Sequence, residues 1–243
     1  MTLDFSVLEN NLGYLLWGRA ASGEIGGLLL TVILATASGL LALGGGVALA
    51  LGAWRYRGWT QRLLFWWADF IRGIPLVFVI FWLYFLLPQW LGRDVPGALT
   101  VVLALAWFSS AAVMYSTLAG LEALPYGQTE AALSAGLSKG QLLRWILLPQ
   151  ALPNLTPSFV GLFVSLIKDT SLAFMVNVPE LTTVASQVNS RTQIYPAEIF
   201  LFIALLYFLL CSGLSLLARR LGHAKWLYTR LERRSEAPST GQC

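Results

Sequence analysis

Histidine, cysteine and charged residues are scarce in this 243-residue sequence, and each scarcity excludes a class of protein. The single histidine, His223, lies in a basic C-terminal segment, while Cys211 lies in an apolar run and Cys243 at the C-terminus. This set supplies no zinc site, disulfide framework or acid–base pair, so we predict no metal, no cofactor and no catalytic residues. The nucleotide-cradling pattern G-x-x-x-x-G-K-[ST] does not occur, which excludes nucleotide hydrolysis by this chain.

Low charge is matched by a high apolar content. Charged residues make up 12% of the sequence and hydrophobic residues 57%, which is too apolar for an ordinary soluble globular protein. We therefore predict an all-α integral membrane protein. Apolar runs of the ~20 residues needed to cross a bilayer predict five transmembrane helices, at Ile25–Ala53, Leu63–Leu87, Gly97–Leu121, Ala151–Val176 and Ala197–Ala218.

The basic residues fall mainly on one side of these predicted helices. If the N-terminus is outside, the outer segments hold Arg19, Arg93 and Arg191, and Arg72 and Lys168 fall within helices. The inner segments then hold Arg55, Arg57, Arg62, Lys139, Arg144, Arg219, Arg220, Lys225, Arg230, Arg233 and Arg234. The positive-inside rule therefore predicts an outer N-terminus and a cytoplasmic C-terminus. The net charge of +4 is a signal of membrane orientation, and we predict no binding to nucleic acid.

The chain divides into an outer arm, a membrane domain and a tail. We assign residues 1–24 to the arm, 25–221 to the membrane domain with a polar loop at about 125–150, and 222–243 to a cytoplasmic tail. Apolar residues in Met1–Gly18 recur at roughly helical spacing, so the arm either lies along the outer membrane surface or packs against the protein.

The polar loop between the third and fourth predicted helices has the signals of a structured elbow. Glu130 lies in the first turn of a predicted helix at Gly127–Ala135, where a carboxylate complements the helix dipole. Gly136 is placed to end that helix in a left-handed conformation. Ser138 and Gln141 form a predicted capping box for a second helix, which we expect to run up to Pro149. The sequence therefore predicts a helix, a glycine corner and a helix at the cytoplasmic face.

Small side chains on the first elbow helix admit two interpretations. Ala131, Ala132 and Ala135 leave one side of that helix nearly bare, so another protein can approach its backbone closely. Alternatively, the elbow is an ordinary interfacial loop. The ordered corner favours docking.

Charged residues within predicted spans are costly and usually functional. Lys168 and Asp169 are neighbours and diverge by about 100° on a helix, so they cannot pair on one face. Either one meets a partner elsewhere, or the helix loosens at Lys168–Ser171 and its backbone faces a cavity. Asp69 and Arg72 are spaced for a local ion pair, and Gly73 and Pro75 are expected to bend or break the helix beside them.

Several spaced motifs resemble one family of transport proteins. Glu130, Ala131, Ala132, Gly136, Ile146, Leu148 and Pro149 match the EAA loop of the inner-membrane permease subunits of ATP-binding-cassette importers. "PYGQTEAALSAG" and "LLPQALPNLTPSF" resemble the branch that serves histidine, glutamine, glutamate and arginine. "FIRGIPLVFVIFWLYFLLP", from Phe70 to Pro88, and "KDTSL", from Lys168 to Leu172, are similar to further motifs of that branch. The resemblance extends from about Leu15 to Leu221.

The resemblance implies a mechanism and a set of partners. It implies a multi-pass permease in a bacterial inner membrane, with a coupling elbow that docks on a pair of cytoplasmic ATPase subunits and uses Glu130, Ala131, Ala132, Gly136, Ile146 and Pro149. It also implies a second permease subunit and a periplasmic amino-acid-binding protein.

The same resemblance assigns roles to the polar residues of the spans. It favours a substrate path at Lys168, Asp169, Thr170, Ser171 and Tyr115, because adjacent opposite charges and hydroxyls suit an amino acid. The alternative for these residues is a structural polar cluster that fixes helix packing. The resemblance also implies an inner gate shaped by the break at Gly73 and Pro75, with Asp69 and Arg72 in structural support.

One departure bears on the quaternary structure. The branch commonly carries a glutamate and then an arginine where this sequence has Tyr115 and Leu118. A heterodimer could keep those charges in its other subunit, so we expect the second permease to be a related but different chain. The alternative function is a stand-alone secondary carrier or channel for small polar solutes, although such a protein needs no docking elbow. A purely structural membrane subunit is the third hypothesis.

Overall fold

The computed structural model describes residues 6–20 and 23–235, with side chains described up to Arg220. Cys243, the tail residues 236–243 and the His223 side chain lie outside the described part. Two short strands, β1 and β2, pair near the N-terminus, and helices make up most of the rest. The elements are α1 (Ser6–Trp17), β1 (Gly18–Arg19), β2 (Glu24–Ile25), α2 (Gly27–Arg55), α3 (Trp59–Gly73), α4 (Leu76–Leu91), α5 (Gly97–Glu122), α6 (Tyr126–Ser134), α7 (Lys139–Leu142), a π-helical turn (Leu143–Leu147), α8 (Leu148–Asp169), a 3-10 segment (Thr170–Val176), α9 (Leu181–Thr192) and α10 (Pro196–Ser235).

The predicted number of membrane spans agrees with the structure when one bent pair of helices is counted as a single span. Four helical runs are long and apolar enough to cross a bilayer. They are Gly27–Arg55, Gly97–Glu122, Lys139–Val176 and Pro196–Arg220, and α3 with α4 makes the fifth. The all-α membrane fold class is confirmed. We call the end of the bundle with α6 and α7 the inner end, and the end with α1 and α9 the outer end.

The centre of the bundle is the close pairing of α2 with α5. Gly46 faces Val113 and the Ser110 carbonyl so closely that a Cβ atom there would lie 2.5 Å from the Val113 side chain. Gly39 is packed in the same way against the Phe163 ring of α8. Two glycines of α2 therefore let neighbouring helices approach closely, as small residues do in membrane bundles.

The second predicted span is not one helix. The axes of α3 and α4 differ by 98°. The bend lies at Ile74, which precedes Pro75 and is extended at φ −96° and ψ 133°, because the proline ring disfavours helical backbone in the residue before it. The bend or break expected at Gly73 and Pro75, inside the predicted span Leu63–Leu87, is therefore confirmed. Only α4 runs alongside the outer halves of α2 and α5, whereas α3 packs against their inner ends.

The second elbow helix continues directly into the fourth span. The prediction that it ends at Pro149 was wrong, because Lys139–Val176 is one unbroken helical run. A π-helical turn at Leu143–Leu147 immediately precedes α8, and Pro149 lies in the first turn of α8.

The N-terminal arm packs against the protein at the outer end. Val7, Leu8 and Leu15 of α1 are buried in a cluster with Leu181 of α9 and Ile199 of α10. Of the two interpretations of Met1–Gly18, the contacts of the described residues favour the packing arm.

Candidate functional site

The corner of the elbow is closed by a complete C-terminal capping motif. The Gly136 N–H donates to the Leu133 carbonyl at 3.0 Å, and the Leu137 N–H donates to the Ala132 carbonyl at 3.1 Å. This pair of bonds is the Schellman motif, which needs a left-handed residue at its centre. Gly136 supplies it with φ +82°. The predicted glycine stop is confirmed.

The second elbow helix begins with the predicted capping box. The Gln141 N–H donates to Ser138 Oγ at 3.3 Å, and the Ser138 N–H donates to Gln141 Oε1 at 2.9 Å. Both ends of the corner are therefore held by local hydrogen bonds. Its geometry does not depend on a partner protein.

The exposed side of α6 differs from the one expected from its alanines. Ala132 is buried against Leu142 and Leu147, so its part in a bare docking surface was predicted wrongly. Glu130 and Ala131 are exposed, as are Gly136 and Pro149, and Ile146 packs partly buried beside the Ala132 cluster.

Two larger side chains on the exposed side of α6 were not singled out from the sequence. Tyr126 is 71% exposed and Leu133 is 43% exposed. Together with Glu130 they follow the i, i+4, i+7 spacing of one helix face. That spacing was visible in the sequence, and it indicates a mixed aromatic, acidic and aliphatic surface.

The helix changes character at the predicted polar site. The α-helix α8 ends at Asp169 and a 3-10 segment begins at Thr170, which agrees with the loosening that was one of the two alternatives. In the part of the chain that the structure describes, the side chains of Lys168 and Asp169 have no hydrogen-bonded or ion-paired partner. Lys168 is exposed and Asp169 is partly buried.

The two hydroxyls at this site face the backbone. Thr170 is fully buried, and its hydroxyl donates to the Ile167 carbonyl at 2.6 Å. A direct contact between the Thr170 side chain and a solute is therefore excluded in this structure, which corrects its assignment to the path. Ser171 donates to the Lys168 carbonyl at 2.7 Å and is partly buried. Both bonds help to hold the change from α-helix to 3-10 helix.

Tyr115 lies with the charged pair at the inner bend. Its hydroxyl donates to Asp69 at 2.6 Å, and the Arg72 guanidinium lies 5.1 Å from the centre of its ring. The local Asp69–Arg72 ion pair predicted from their spacing was wrong, because among the described residues Tyr115 is the hydrogen-bonded partner of Asp69. A contact between α5 and α3 thus replaces one within α3. We call Asp69, Arg72 and Tyr115 the inner cluster.

Replacing Tyr115 with phenylalanine tests the inner cluster. The variant keeps the ring under Arg72 but loses a solvent-exposed hydrogen bond to Asp69, which contributes about 0.5–1.5 kcal/mol. We expect an apparent melting temperature lower by about 1–6 °C in a detergent thermal-shift assay. Tyr56→Phe, which changes an exposed tyrosine in the same way, is the control. Equal melting temperatures for the two variants would contradict the contact.

A buried carboxylate joins three helices at the outer end. Glu180 is fully buried and accepts hydrogen bonds from the Thr182 N–H at 2.9 Å and the Thr183 N–H at 2.8 Å, which makes it the N-cap of α9. The Tyr207 hydroxyl of α10 donates to it at 3.0 Å and the Thr31 hydroxyl of α2 at 3.4 Å. Burial raises the pKa of the Glu180 carboxyl above its ordinary value, and these hydrogen bonds oppose part of the shift.

Glu180 was not predicted from the sequence as a functional or structural residue. A glutamate followed by two threonines, after Pro179 and before an apolar pattern, is a signal of a helix N-terminus. That signal could have located the start of α9, but it does not reveal the partners on α2 and α10.

A polar cavity of about 330 Å³ lies beside α9 at the outer end. This volume is at the lower end of the range of ~300–1,000 Å³ for small-molecule sites. The lining comes from α9 and from the end of the 3-10 segment, and it consists of Phe174, Asn177, Thr183, Ser186, Gln187, Ser190 and Arg191.

The bent second span, the capped elbow and the polar break in the fourth span place the chain among membrane permeases. The chain belongs to the family described as binding-protein-dependent transport system inner membrane component, whose sequence model matches residues 41–226. It is therefore the permease component of such a system and not its ATPase. The fold expected from the EAA-loop resemblance is confirmed.

Similar proteins include permeases named for amino acids. The probable glutamine ABC transporter permease protein GlnP of Bacillus subtilis (strain 168) is 42% identical over 153 residues, which cover 62% of this chain and 70% of GlnP. The arginine transport system permease protein ArtQ of the same organism is 30% identical over 223 residues, covering 90% of this chain and 95% of ArtQ. A solved structure described as an amino acid ABC transporter with histidines has a TM-score of 0.79 at 27% identity, over 92% of this chain and 100% of that chain.

Proposed function

We propose that this chain is the permease subunit of an inner-membrane importer that carries polar amino acids from the periplasm to the cytoplasm. A periplasmic binding protein delivers the substrate, and two cytoplasmic ATPase subunits drive the transport. The observation that carries the proposal is the single helical run Lys139–Val176, which joins the capped elbow at one end to the polar break at Lys168 and Asp169 near the other. The names of GlnP and ArtQ support amino acids as the substrate class.

The charges of the fourth span suit an amino acid. A zwitterion carries an ammonium and a carboxylate, and the adjacent Lys168 and Asp169 offer one charge of each sign without a competing partner among the described residues. Ionisable groups at membrane depth are costly unless they are paired or functional. The path residues of the proposal are therefore Lys168, Asp169 and Ser171, with Thr170 holding the backbone and Tyr115 lying nearer the inner end. The polar cavity beside α9 is a suitable entrance.

The exposed side of α6 is the proposed contact with an ATPase subunit. Tyr126 and Leu133 offer apolar area, and Glu130 offers a charge that fixes orientation. Aromatic side chains are enriched at the centres of protein interfaces, whereas glutamate is depleted there and the rim is polar, so Tyr126 suits the centre of the contact and Glu130 its rim. Ala131 leaves room for the partner to approach the helix backbone.

The second permease is proposed to be a related but different chain. Leu118 is 3% exposed and packs among Ala50, Ala53 and Met114, so a charged residue there would disturb the core. Tyr115 uses its hydroxyl on Asp69 of the same chain. The glutamate and the arginine that the polar amino acid branch commonly carries at these two positions therefore have no equivalent in this subunit. A different partner subunit can supply these charges.

Identification of the proteins that copurify with this chain tests the assembly. The complex would be extracted from the native membrane in mild detergent and analysed by mass spectrometry. We expect an ATPase subunit with a phosphate-binding loop and a second, related permease. Recovery of the chain alone would contradict the importer, and recovery of the ATPase with only this permease would contradict the heterodimer.

Removing each charge of the polar site tests the substrate path. We expect Lys168→Gln and Asp169→Asn each to lower amino acid uptake by roughly tenfold or more in proteoliposomes that contain the complete importer, since loss of a charged hydrogen bond of ~1.5–3 kcal/mol changes binding by that factor. Thr156→Val is the control, because the Thr156 hydroxyl is exposed on the same helix and bonds only its own backbone among the described residues. Normal uptake by both charge variants would refute the assignment.

A further inference from the structure

Within the bent second span, the helix α3 crosses the inner end of the bundle and only α4 runs alongside the other spanning helices. Its buried side, with Ala68 at its centre, packs against Ala50 and Ala53 near the end of α2 and against Met114 of α5. Because α4 runs alongside the spanning helices and α3 turns away by 98°, the axis of α3 lies close to the plane of the membrane.

The opposite side of α3 is an exposed apolar stripe. Trp59, Leu63, Trp66 and Phe70 are 85%, 63%, 66% and 52% exposed. Their spacing of four, three and four residues places them in one line along the helix. Trp66 and Phe70 stack with their ring centres 5.6 Å apart. We call these four residues the aromatic stripe.

Basic residues surround the start of this stripe. Arg57 and Arg62 are exposed, and Arg55 lies at the end of α2 with its guanidinium 5.4 Å from the centre of the Tyr56 ring. No acidic residue occurs between positions 54 and 68 of the sequence. The surface is therefore apolar and aromatic on one line and uniformly positive at its N-terminal end.

We propose that α3 is an interfacial helix that binds anionic phospholipids of the inner leaflet. Tryptophan and other amphipathic aromatic side chains concentrate at the level of lipid headgroups, and a helix with an apolar line and basic flanks lies in that plane. Residues 54–68 contain no acidic side chain that could pair with these arginines, so anionic headgroups supply the negative charge. The aromatic stripe enters the headgroup and upper acyl region, and Arg57 and Arg62 bind phosphate groups.

Lipid contact on α3 also reaches the inner cluster. Asp69 and Arg72 lie on α3, and Tyr115 ties them to α5. Lipid that fixes α3 therefore fixes one side of the proposed inner gate, and anionic lipid increases uptake. This effect on uptake rests on the proposed function, whereas the lipid contact does not.

Depth-dependent fluorescence quenching tests the location of α3. In a Cys211→Ser, Cys243→Ser background, single cysteines at Trp59, Leu63 or Trp66 would carry an environment-sensitive dye in the complete complex, reconstituted with phosphatidylglycerol. We expect quenching by a nitroxide near the headgroup to exceed quenching by one near the acyl-chain end by about twofold, consistent with burial to about 5–10 Å. Lys139→Cys, on the elbow, is the aqueous control. Stronger quenching by the deep nitroxide, or none because protein covers the stripe, would overturn the proposal.

Lipid dependence of uptake tests the basic residues. Uptake by the complete importer would be measured in phosphatidylcholine vesicles with and without phosphatidylglycerol. We expect phosphatidylglycerol to increase uptake by the native importer. The variant that combines Arg57→Gln with Arg62→Gln is expected to need a higher phosphatidylglycerol content for the same uptake, by about fivefold for each arginine replaced. Arg93→Gln, in an exposed outer loop, is the control.

The two experiments separate the lipid site from the transport function. A native importer that is indifferent to phosphatidylglycerol would overturn the effect of lipid on uptake, and deep or absent quenching of the aromatic stripe would overturn the lipid contact itself. Shallow quenching of the aromatic stripe in a complex without any amino acid uptake would retain the lipid site and contradict the proposed function.

Discussion

Replacement of Gly136 by valine is expected to abolish coupled uptake while ATP hydrolysis by the associated subunits continues. Gly136 holds the centre of the elbow at φ +82°, and no other atom lies within 4 Å of where its Cβ would be. The effect of valine is therefore backbone strain alone. A β-branched residue in this region costs about 1–3 kcal/mol, which lowers the population with the native corner by roughly five- to 140-fold. The proposed ATPase contact on α6 then no longer holds its angle to the helix that continues into the membrane.

The measurement is the ratio of ATP hydrolysed to amino acid taken up, in proteoliposomes with equal amounts of inserted protein. Gly136→Asn is the matched control, because asparagine tolerates the left-handed region far better than valine does. We expect the asparagine variant to keep most of its coupling. If valine and asparagine behave alike, the left-handed corner is not the coupling element.

Replacement of Glu180 by alanine is expected to have the largest effect on stability. The change removes the N-cap of α9, which contributes about 1 kcal/mol. It also removes the carboxylate that accepts from the Thr31 and Tyr207 hydroxyls. Each hydroxyl keeps a second partner, the Gly27 carbonyl for Thr31 and the Thr182 hydroxyl for Tyr207, so we expect a loss of about 0.5–1.5 kcal/mol for each hydrogen bond. The three helices joined by Glu180 lose their common acceptor. We expect the apparent melting temperature to fall by about 5–15 °C.

The matched variant is Glu180→Gln, which keeps the shape and one acceptor oxygen. Since burial raises the folded-state pKa of Glu180, the folded protein holds this proton more tightly than the unfolded chain. The stability that protonation of Glu180 contributes is therefore fully present below the ordinary glutamate pKa of about 4.3. This stability is lost as the pH rises through the folded-state pKa. We expect melting temperatures to fall over that window in the native protein and not in the glutamine variant. A native profile that rises with pH there would contradict the sign of the shift.

The elbow could be predicted in detail because its determinants are local. The capping box joins Ser138 to Gln141, and the corner bonds join residues within five positions of each other. Short-range rules of this kind need no knowledge of the tertiary fold. The burial of Ala132 could not be predicted in the same way, because it depends on Leu142 and Leu147 folding back against α6.

Polar contacts between distant parts of the chain could not be predicted. The spacing of Asp69 and Arg72 favoured a local ion pair, but Tyr115, 46 residues further along, is the partner of Asp69. Glu180 meets Thr31 across 149 positions and Tyr207 across 27. Helical periodicity locates the spans but does not state which faces meet. For the same reason it indicated a break at Pro75 but not the direction in which α3 turns.

The unbroken helix from Lys139 to Asp169 has a mechanical consequence. At 1.5 Å per residue it is about 45 Å long, and the chain stays helical between the elbow and the adjacent charges, through the π-helical turn at Leu143–Leu147 and past Pro153 and Pro157. A helix that moves as one body acts as a lever. A swing of about 10° around one end moves the other end by about 8 Å, a distance larger than one helical turn of about 5.4 Å. In the proposed coupling, a modest rotation of the elbow would therefore move Lys168 and Asp169 by more than one helical turn.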